Sequence, residues 1–264
     1  MSEKKQKTPW RVIGTSVKGT KHLDMDTPCQ DAFYYKVLES GTIIISVSDG
    51  AGSVPKAQEG SLFISENSVT FLEKHILGLN PHDKKTWKKV FRSAFQETRK
   101  ALQKYASDSA SALYDYAATL MLTVITENFV IGGLIGDCAA VVCKKNGELG
   151  SLCKAQKGEY ANMTNFLTQK DAMSKLDIRV YQDSVQGISL ISDGLSELAL
   201  NISDNIPCSV FFHPFFNFAR AVTDEYETQA ETKLAAFLDS DRVNARTDDD
   251  KTLVIAVKRD SDIF

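Results

Sequence analysis

The stretch Thr42-Ile43-Ile44-Ile45-Ser46-Val47-Ser48-Asp49-Gly50 runs apolar and β-branched and then stops on an aspartate and a glycine. That composition predicts a buried strand over residues 42–48 with a carboxylate at its exit. The pattern repeats along the chain. Residues 129–135 run into Gly136-Asp137, residues 187–192 run into Asp193-Gly194, and Asp248-Asp249-Asp250 opens a last strand over 252–257. Taken singly, an Asp-Gly after a strand is an ordinary solvated turn. A carboxylate where a buried strand leaves the core is nevertheless held rigidly near solvent, and a glycine beside it lets backbone and ion approach closely. Several such ends brought together make an all-oxygen site for a hard divalent cation.

Working outward, residues 10–17 and 32–38 read as strands flanking a turn-rich segment, 18–30. Residues 56–77 have helical character. In 84–106, Trp87, Val90, Phe91, Ala94, Phe95, Thr98, Leu102 and Tyr105 recur at spacings of three and four, which predicts a helix with one apolar face. Strands follow at 118–126, 129–135, 139–144 and 151–155, and the short separators Glu127-Asn128 and Asn146-Gly147 predict antiparallel hairpins. Residues 178–181 and 187–192 continue the strand pattern, and 209–222 and 225–238 read as helices. The aromatics between Phe211 and Phe218 suit a buried helix face with Pro214 in its first turn, and a hydrophobic docking flap is the competing reading. Helices segregated from largely antiparallel strands predict an α+β sandwich, not a doubly wound parallel sheet.

At 264 residues the chain is long enough for one large core, and no linker-like stretch interrupts it. Residues 1–9 read as a flexible lysine-rich arm and 10–264 as a single domain. A net charge of -3, without basic clusters interleaved by aromatics, argues against a nucleic-acid surface. The five cysteines, Cys29, Cys138, Cys143, Cys153 and Cys208, show no Cys-x-x-Cys spacing, so neither a disulfide framework nor a zinc knuckle is expected. No apolar stretch approaches the roughly 18 residues of a membrane helix, and no signal region opens the chain. The expectation is a soluble cytoplasmic monomer.

Asp31, Asp49, Asp137, Asp193, Glu197, Asp249 and Asp250 all lie beside an apolar run or a tight turn. The histidines His22, His75, His82 and His213 show no ligand spacing, so magnesium or manganese suits the chain better than zinc. Two such ions bridged by a shared carboxylate lower the pKa of a water between them and stabilise the attacking and leaving oxygens of a phosphoryl group.

Six segments then carry a resemblance, in order: Pro28-Cys29-Gln30-Asp31-Ala32, Ser48-Asp49-Gly50-Ala51-Gly52-Ser53, Ala118-Thr119-Leu120, Ile135-Gly136-Asp137-Cys138, Ser192-Asp193-Gly194-Leu195-Ser196-Glu197 and Asp249-Asp250-Lys251-Thr252. They resemble the motifs of the metal-dependent protein phosphatase 2C family, most of all its compact bacterial branch, over about residues 10–257. The resemblance implies a four-layer αββα sandwich, two antiparallel sheets flanked by helix pairs, with the metal site at one edge between the sheets. It implies hydrolysis of phosphoserine and phosphothreonine on a protein substrate, with a cognate kinase as the opposing activity, by water activated between two Mn2+ or Mg2+ ions. Asp49 resembles the bridging carboxylate, with the Gly50 carbonyl on one ion and Asp193 and Asp249 as the other direct ligands. Asp31 matches an acid that holds water and helps deprotonate it, and Asp137 and Glu197 fall at a third, weaker metal site.

Three positions depart from the family pattern. Gln30 stands where an acid usually precedes Asp31, the arginine that clamps phosphate is missing, and Ala51 replaces the histidine after the Asp-Gly pair. Lys18, Lys21 and His22 occupy the approach loop instead; Lys21 and His22 are the candidate phosphate contacts, and His22 the candidate acid for the leaving oxygen. These departures keep two alternatives open, a phosphatase of small metabolites and a regulatory module that retains the fold with reduced chemistry.

Overall fold

In the computed structural model, which describes residues 9–80, 82–153, 155–156, 164–182, 185–201 and 203–259, the apolar runs become strands and the periodic segments helices. The order is β1 (Trp10–Val17), α1 (Thr20–Asp24), β2 (Asp31–Val37), β3 (Ile43–Asp49), α2 (Ala57–His75), α3 (Lys84–Asp108), β4 (Leu120–Ile125), β5 (Val130–Ile135), β6 (Ala139–Lys144), β7 (Leu149–Cys153), α4 (Ala172–Lys175), β8 (Asp177–Tyr181), β9 (Val185–Ile191), α5 (Ser196–Ala199), β10 (Leu200–Asn201), β11 (Ile206–Pro207), α6 (Ser209–Ala221), α7 (Glu227–Leu238), α8 (Asp241–Asn244) and β12 (Lys251–Lys258). Of the expected arm, only Pro9 lies within the described residues; its carbonyl accepts from the Arg259 amide at 2.9 Å.

Two five-stranded sheets form, one ordered β1-β12-β9-β6-β7 and the other β2-β3-β4-β5-β8, and every pairing in them is antiparallel. Strand alternation divides the apolar residues among three layers of packing. On β3, Ile43, Ile45 and Val47 face the second sheet, where they meet Ile188, Leu190, Val254 and Ala256, while Ile44 packs under α2 and α3 with Phe91 and Phe95. On β12, Leu253, Ile255 and Val257 turn the other way to meet Phe212, Phe216 and Leu234 of α6 and α7. Each buried Val, Ile, Leu or Phe among them contributes roughly 1.5–3 kcal/mol of burial. The result is the expected helix–sheet–sheet–helix sandwich.

Two local readings are corrected. The turn-rich segment 18–30 contains α1, a five-residue helix too short to show a period in sequence. Pro214 sits in the second turn of α6, not the first, because the helix opens at Ser209. It is tolerated there because Val210, whose carbonyl would have bonded to residue 214, is 82% exposed.

Candidate metal centre

The exits of β3, β5 and β9 converge between the sheets. Asp49 is the last residue of β3, Asp137 lies in the connection that carries the chain from β5 in one sheet to β6 in the other, and Asp193 follows β9. One carboxylate oxygen from each lies within 4.8 Å of the others. The β5–β6 crossing depends on Gly136, whose φ is +121° and whose missing Cβ would collide with Thr119. At Gly194, any Cβ would fall on the Asp250 carbonyl, so glycine alone allows the β9 exit to meet the start of β12.

Asp49, Gly50, Asp137, Asp193, Glu197 and Asp249 line one cleft of about 700 Å³, together with Lys21, His22 and Gln30. Asp49 is fixed through its backbone. Its amide donates to Thr119 Oγ1 at 2.9 Å, its carbonyl accepts from the Thr119 amide at 2.8 Å, and the neighbouring Ser48 hydroxyl donates to the Thr119 carbonyl at 2.6 Å. Asp31 pairs with Asp49 across β2 and β3 but does not line the cleft; it is buried behind, where Oδ2 accepts from the Thr252 hydroxyl at 2.7 Å. Glu197 is exposed at the cleft's edge, on α5.

Negative charge accumulates here. Burial and then the charges of Asp193, Asp31, Asp137 and Asp249 push the Asp49 carboxyl well above its ordinary range. Asp193 is pushed up to about 8 by burial and then by Asp137, Asp249 and Asp31. Burial raises Asp31 to about 7 against hydrogen bonds that favour its charged form, and burial likewise raises Asp137. Asp31 Oδ1, Asp137 Oδ1 and the Gln30 amide oxygen are buried with no hydrogen-bond partner. Crowded carboxylates and orphaned oxygens, with no thiol or imidazole among the three converging groups, fit a hard divalent cation.

Asp250, next to Asp249, has a different task. It is 2% exposed, and its carboxylate accepts from the Gly19 amide at 2.7 Å and the Gln30 amide at 2.5 Å, so it ties both ends of the 19–30 segment to β12. Its Oδ2 also lies 2.9 Å from His22 Nδ1, close enough for an ion pair though not aligned as a hydrogen bond. His22 is thereby a buried residue of α1, 5% exposed, and not a surface-loop histidine.

A family model described as Protein phosphatase 2C matches residues 18–239. The chain belongs to the protein phosphatase 2C family. This phosphatase 2C is 34% identical over 256 residues to Serine/threonine-protein phosphatase 3 of Escherichia coli (strain K12), a match covering 94% of the chain and 98% of that relative. A solved bacterial serine phosphatase superposes with a TM-score of 0.66 at 14% identity, covering 96% of this chain and 99% of its own. Serine/threonine phosphatase Stp1 from Staphylococcus aureus does so with a TM-score of 0.61 at 14% identity, covering 94% of each. At such identities the two structures speak for the fold.

Within this phosphatase 2C, three supporting residues carried no assigned role in the sequence reading. Thr119 clamps Asp49, Ser192 accepts from the Thr252 amide at 2.9 Å, and Asp250 anchors the approach segment. Thr119 and Ser192 had no sequence signal but their position inside the six ordered segments, and Asp250 was read only as one more strand-end acid; the partners of all three are far away along the chain.

Proposed function

We propose that this phosphatase 2C hydrolyses phosphoserine and phosphothreonine on protein substrates with two divalent ions, Mn2+ or Mg2+, and a third held more weakly. The reading is carried by the convergence of Asp49, Asp137 and Asp193 on one point at the floor of a cleft. Asp49, the Gly50 carbonyl, Asp193 and Asp249 would hold the ion pair, Asp31 would support it from behind, and Asp137 and Glu197 would serve the third ion. The Gln30 amide oxygen is a neutral donor where an acid would add charge. When bound, such ions acidify water and neutralise a phosphoryl group, which is the chemistry of one-step in-line hydrolysis.

The protein's own groups do the rest. Asp31 Oδ1, unpartnered and buried behind the cleft, would take a proton from the attacking water through an intervening water. Lys21 lines the cleft as a cation for the substrate phosphate. With Nδ1 of His22 turned toward Asp250, Nε2 is the ring nitrogen left for substrate, either to contact phosphate or to protonate the leaving oxygen. Thiol chemistry is disfavoured: burial, then the nearby acids, raises the Cys29 thiol beyond the range of a useful nucleophile, and Cys138 is raised for the same causes.

Residues 10–264 are read as a single catalytic domain acting as a monomer, opposite a cognate kinase and in the cytoplasm. The five free thiols fit a reducing compartment, and no helix among the described residues is long and apolar enough to cross a membrane. The test is turnover of p-nitrophenyl phosphate and of a phosphothreonine peptide with manganese against a chelator control. Manganese-dependent hydrolysis of both is expected. Activity confined to small phosphate esters would leave a metabolite enzyme, and none on either would leave a regulatory module.

A further inference from the structure

α6 is aromatic on two sides. Phe212 and Phe216 are buried against the sheet, as a core helix requires, whereas Phe211, Phe215 and Phe218 are only half-buried and line a second cleft of about 590 Å³ with α7 and α8. Its floor is already packed: the rings of Phe211 and Phe215 lie 5.0 Å apart, and Phe215 meets Phe237 of α7 edge-on at 5.2 Å. Its mouth is apolar too, with Val210 82% and Phe237 41% exposed. Water covers these groups at a cost that a docked apolar side chain would remove.

The rim has one sign of charge. Lys233, Arg242 and Arg246 line the cleft and no carboxylate does, on a chain whose net charge is -3. Among the described residues none of the three cations has a hydrogen-bond or ion-pair partner for its side chain. Elsewhere on the same side of the molecule cations are paired: Arg11 and Arg259 both grip Asp224 and Glu227. An apolar floor under unpaired cations is complementary to a segment with apolar side chains on one face and carboxylates beside them. The concave shape suits inserted side chains, which a flat bilayer surface does not offer.

The cleft is also placed to matter. Ser196 and Glu197 of α5 line the acidic cleft, and the next residue, Leu198, lines this one, so a single helical turn separates them. We infer that the α6–α7–α8 cleft docks an acidic amphipathic segment of a protein partner, one turn of α5 away from the metal centre. The inference does not depend on the reaction performed at that centre, because its readout is binding.

The experiment is selection from a display library of random peptides about twelve residues long, the reach of a short groove-binding segment, against the full chain and against the Arg242→Glu/Arg246→Glu double variant. Selected peptides would then be measured by fluorescence anisotropy. Expected are sequences with apolar residues at helical or alternating spacing next to Asp or Glu. Their affinity should fall about tenfold or more in the double variant and in Phe237→Asp, the scale of losing an interface anchor. Arg242 and Arg246 are exposed, so circular dichroism and melting of the double variant should match the parent; Phe237→Asp, which loses its edge-on contact with Phe215, should keep the spectrum and melt slightly lower, and p-nitrophenyl phosphate turnover should not change in either. Enrichment of basic or purely polar peptides, equal binding to the variants, no enrichment at all, or binding only to anionic vesicles would overturn the inference. So would light scattering that shows a second copy of the chain covering this face.

Discussion

The ends of β3 and β9 carry almost the same letters, Ile45-Ser46-Val47-Ser48-Asp49-Gly50 and Leu190-Ile191-Ser192-Asp193-Gly194, yet they belong to different sheets and lead to different structures. In both, a fully buried serine precedes the aspartate and ties the strand end to a neighbouring strand. Ser48 does so by donating to the Thr119 carbonyl, Ser192 by accepting from the Thr252 amide. Beyond Asp49 the chain runs as a loop, Gly50 to Ser53, along the cleft before α2 begins. Beyond Asp193 it turns at once through a short 3-10 helix into α5, which becomes a wall. One motif therefore builds the floor from both sheets, while the chain that follows lines the cleft with a loop on one side and a helical wall on the other.

If Asp49 is the centre of this pairing, its substitution must hurt most. Asp49→Asn is expected to lower kcat by on the order of a thousandfold, the scale at which preorganised charge at a reacting centre counts, with an unchanged circular dichroism spectrum. Retention of most activity would break the equivalence drawn between the two strand ends. Asp193→Asn should cost about a hundredfold and recover in part at higher manganese, because it removes one ligand and not the shared one.

The same residue sharpens the comparison through pH. A carboxyl raised in the folded state binds its proton more tightly there than in the unfolded chain. Asp193, raised to about 8, therefore contributes stability at low pH that is lost as pH rises from the unfolded value near 4 through 8. In chelator, the melting temperature of the parent should fall more between pH 5 and 8 than that of Asp193→Asn, and manganese should close the gap. Parallel profiles would mean the acids at the β9 end do not repel one another as described.

Smaller effects test what surrounds the two ends. Asp250→Asn leaves one buried amide facing an N–H group and should destabilise by about 1–3 kcal/mol in urea unfolding, with a weaker approach segment and a raised KM. His22→Ala should raise KM for phosphorylated substrate about tenfold; unchanged kinetics would leave His22 as packing only. Glu197→Gln, on the exposed wall, should stay within about threefold because water and salt already screen that charge. A loss as deep as that of Asp49→Asn would make wall and floor equivalent.

The layered fold was legible because the inner strands β3, β4, β5 and β12 are largely apolar runs, and α3 because its apolar residues keep one period. The acids at the strand ends were legible for the same reason: Asp49 and Asp193 interrupt runs that read as strands without them. What lay beyond reach was pairwise and distant. Nothing near Asp250 in sequence announces Gly19 and Gln30 as its partners, and nothing in the spacing of Phe211, Phe212, Phe215 and Phe216 says which rings face the sheet and which the groove. α1 escaped because five residues hold too little period to see. Asp137, read as serving a third ion, stands within reach of Asp49 and Asp193, a proximity set by the β5–β6 crossing and not by local sequence.

β12 lies between β1 and β9, and Asp249 stands at its entrance. A growing polypeptide emerging from the ribosome can therefore complete three of the converging acids and still lack both an inner strand of that sheet and the fourth acid. The sheet's longest-range pairing, β1 with β12, must wait until β12 has been synthesised, and such non-local pairings form late. Products terminated before β12 would be left with an unfilled slot between two strand edges and an incomplete acidic cluster, making them visible to chaperones and proteases.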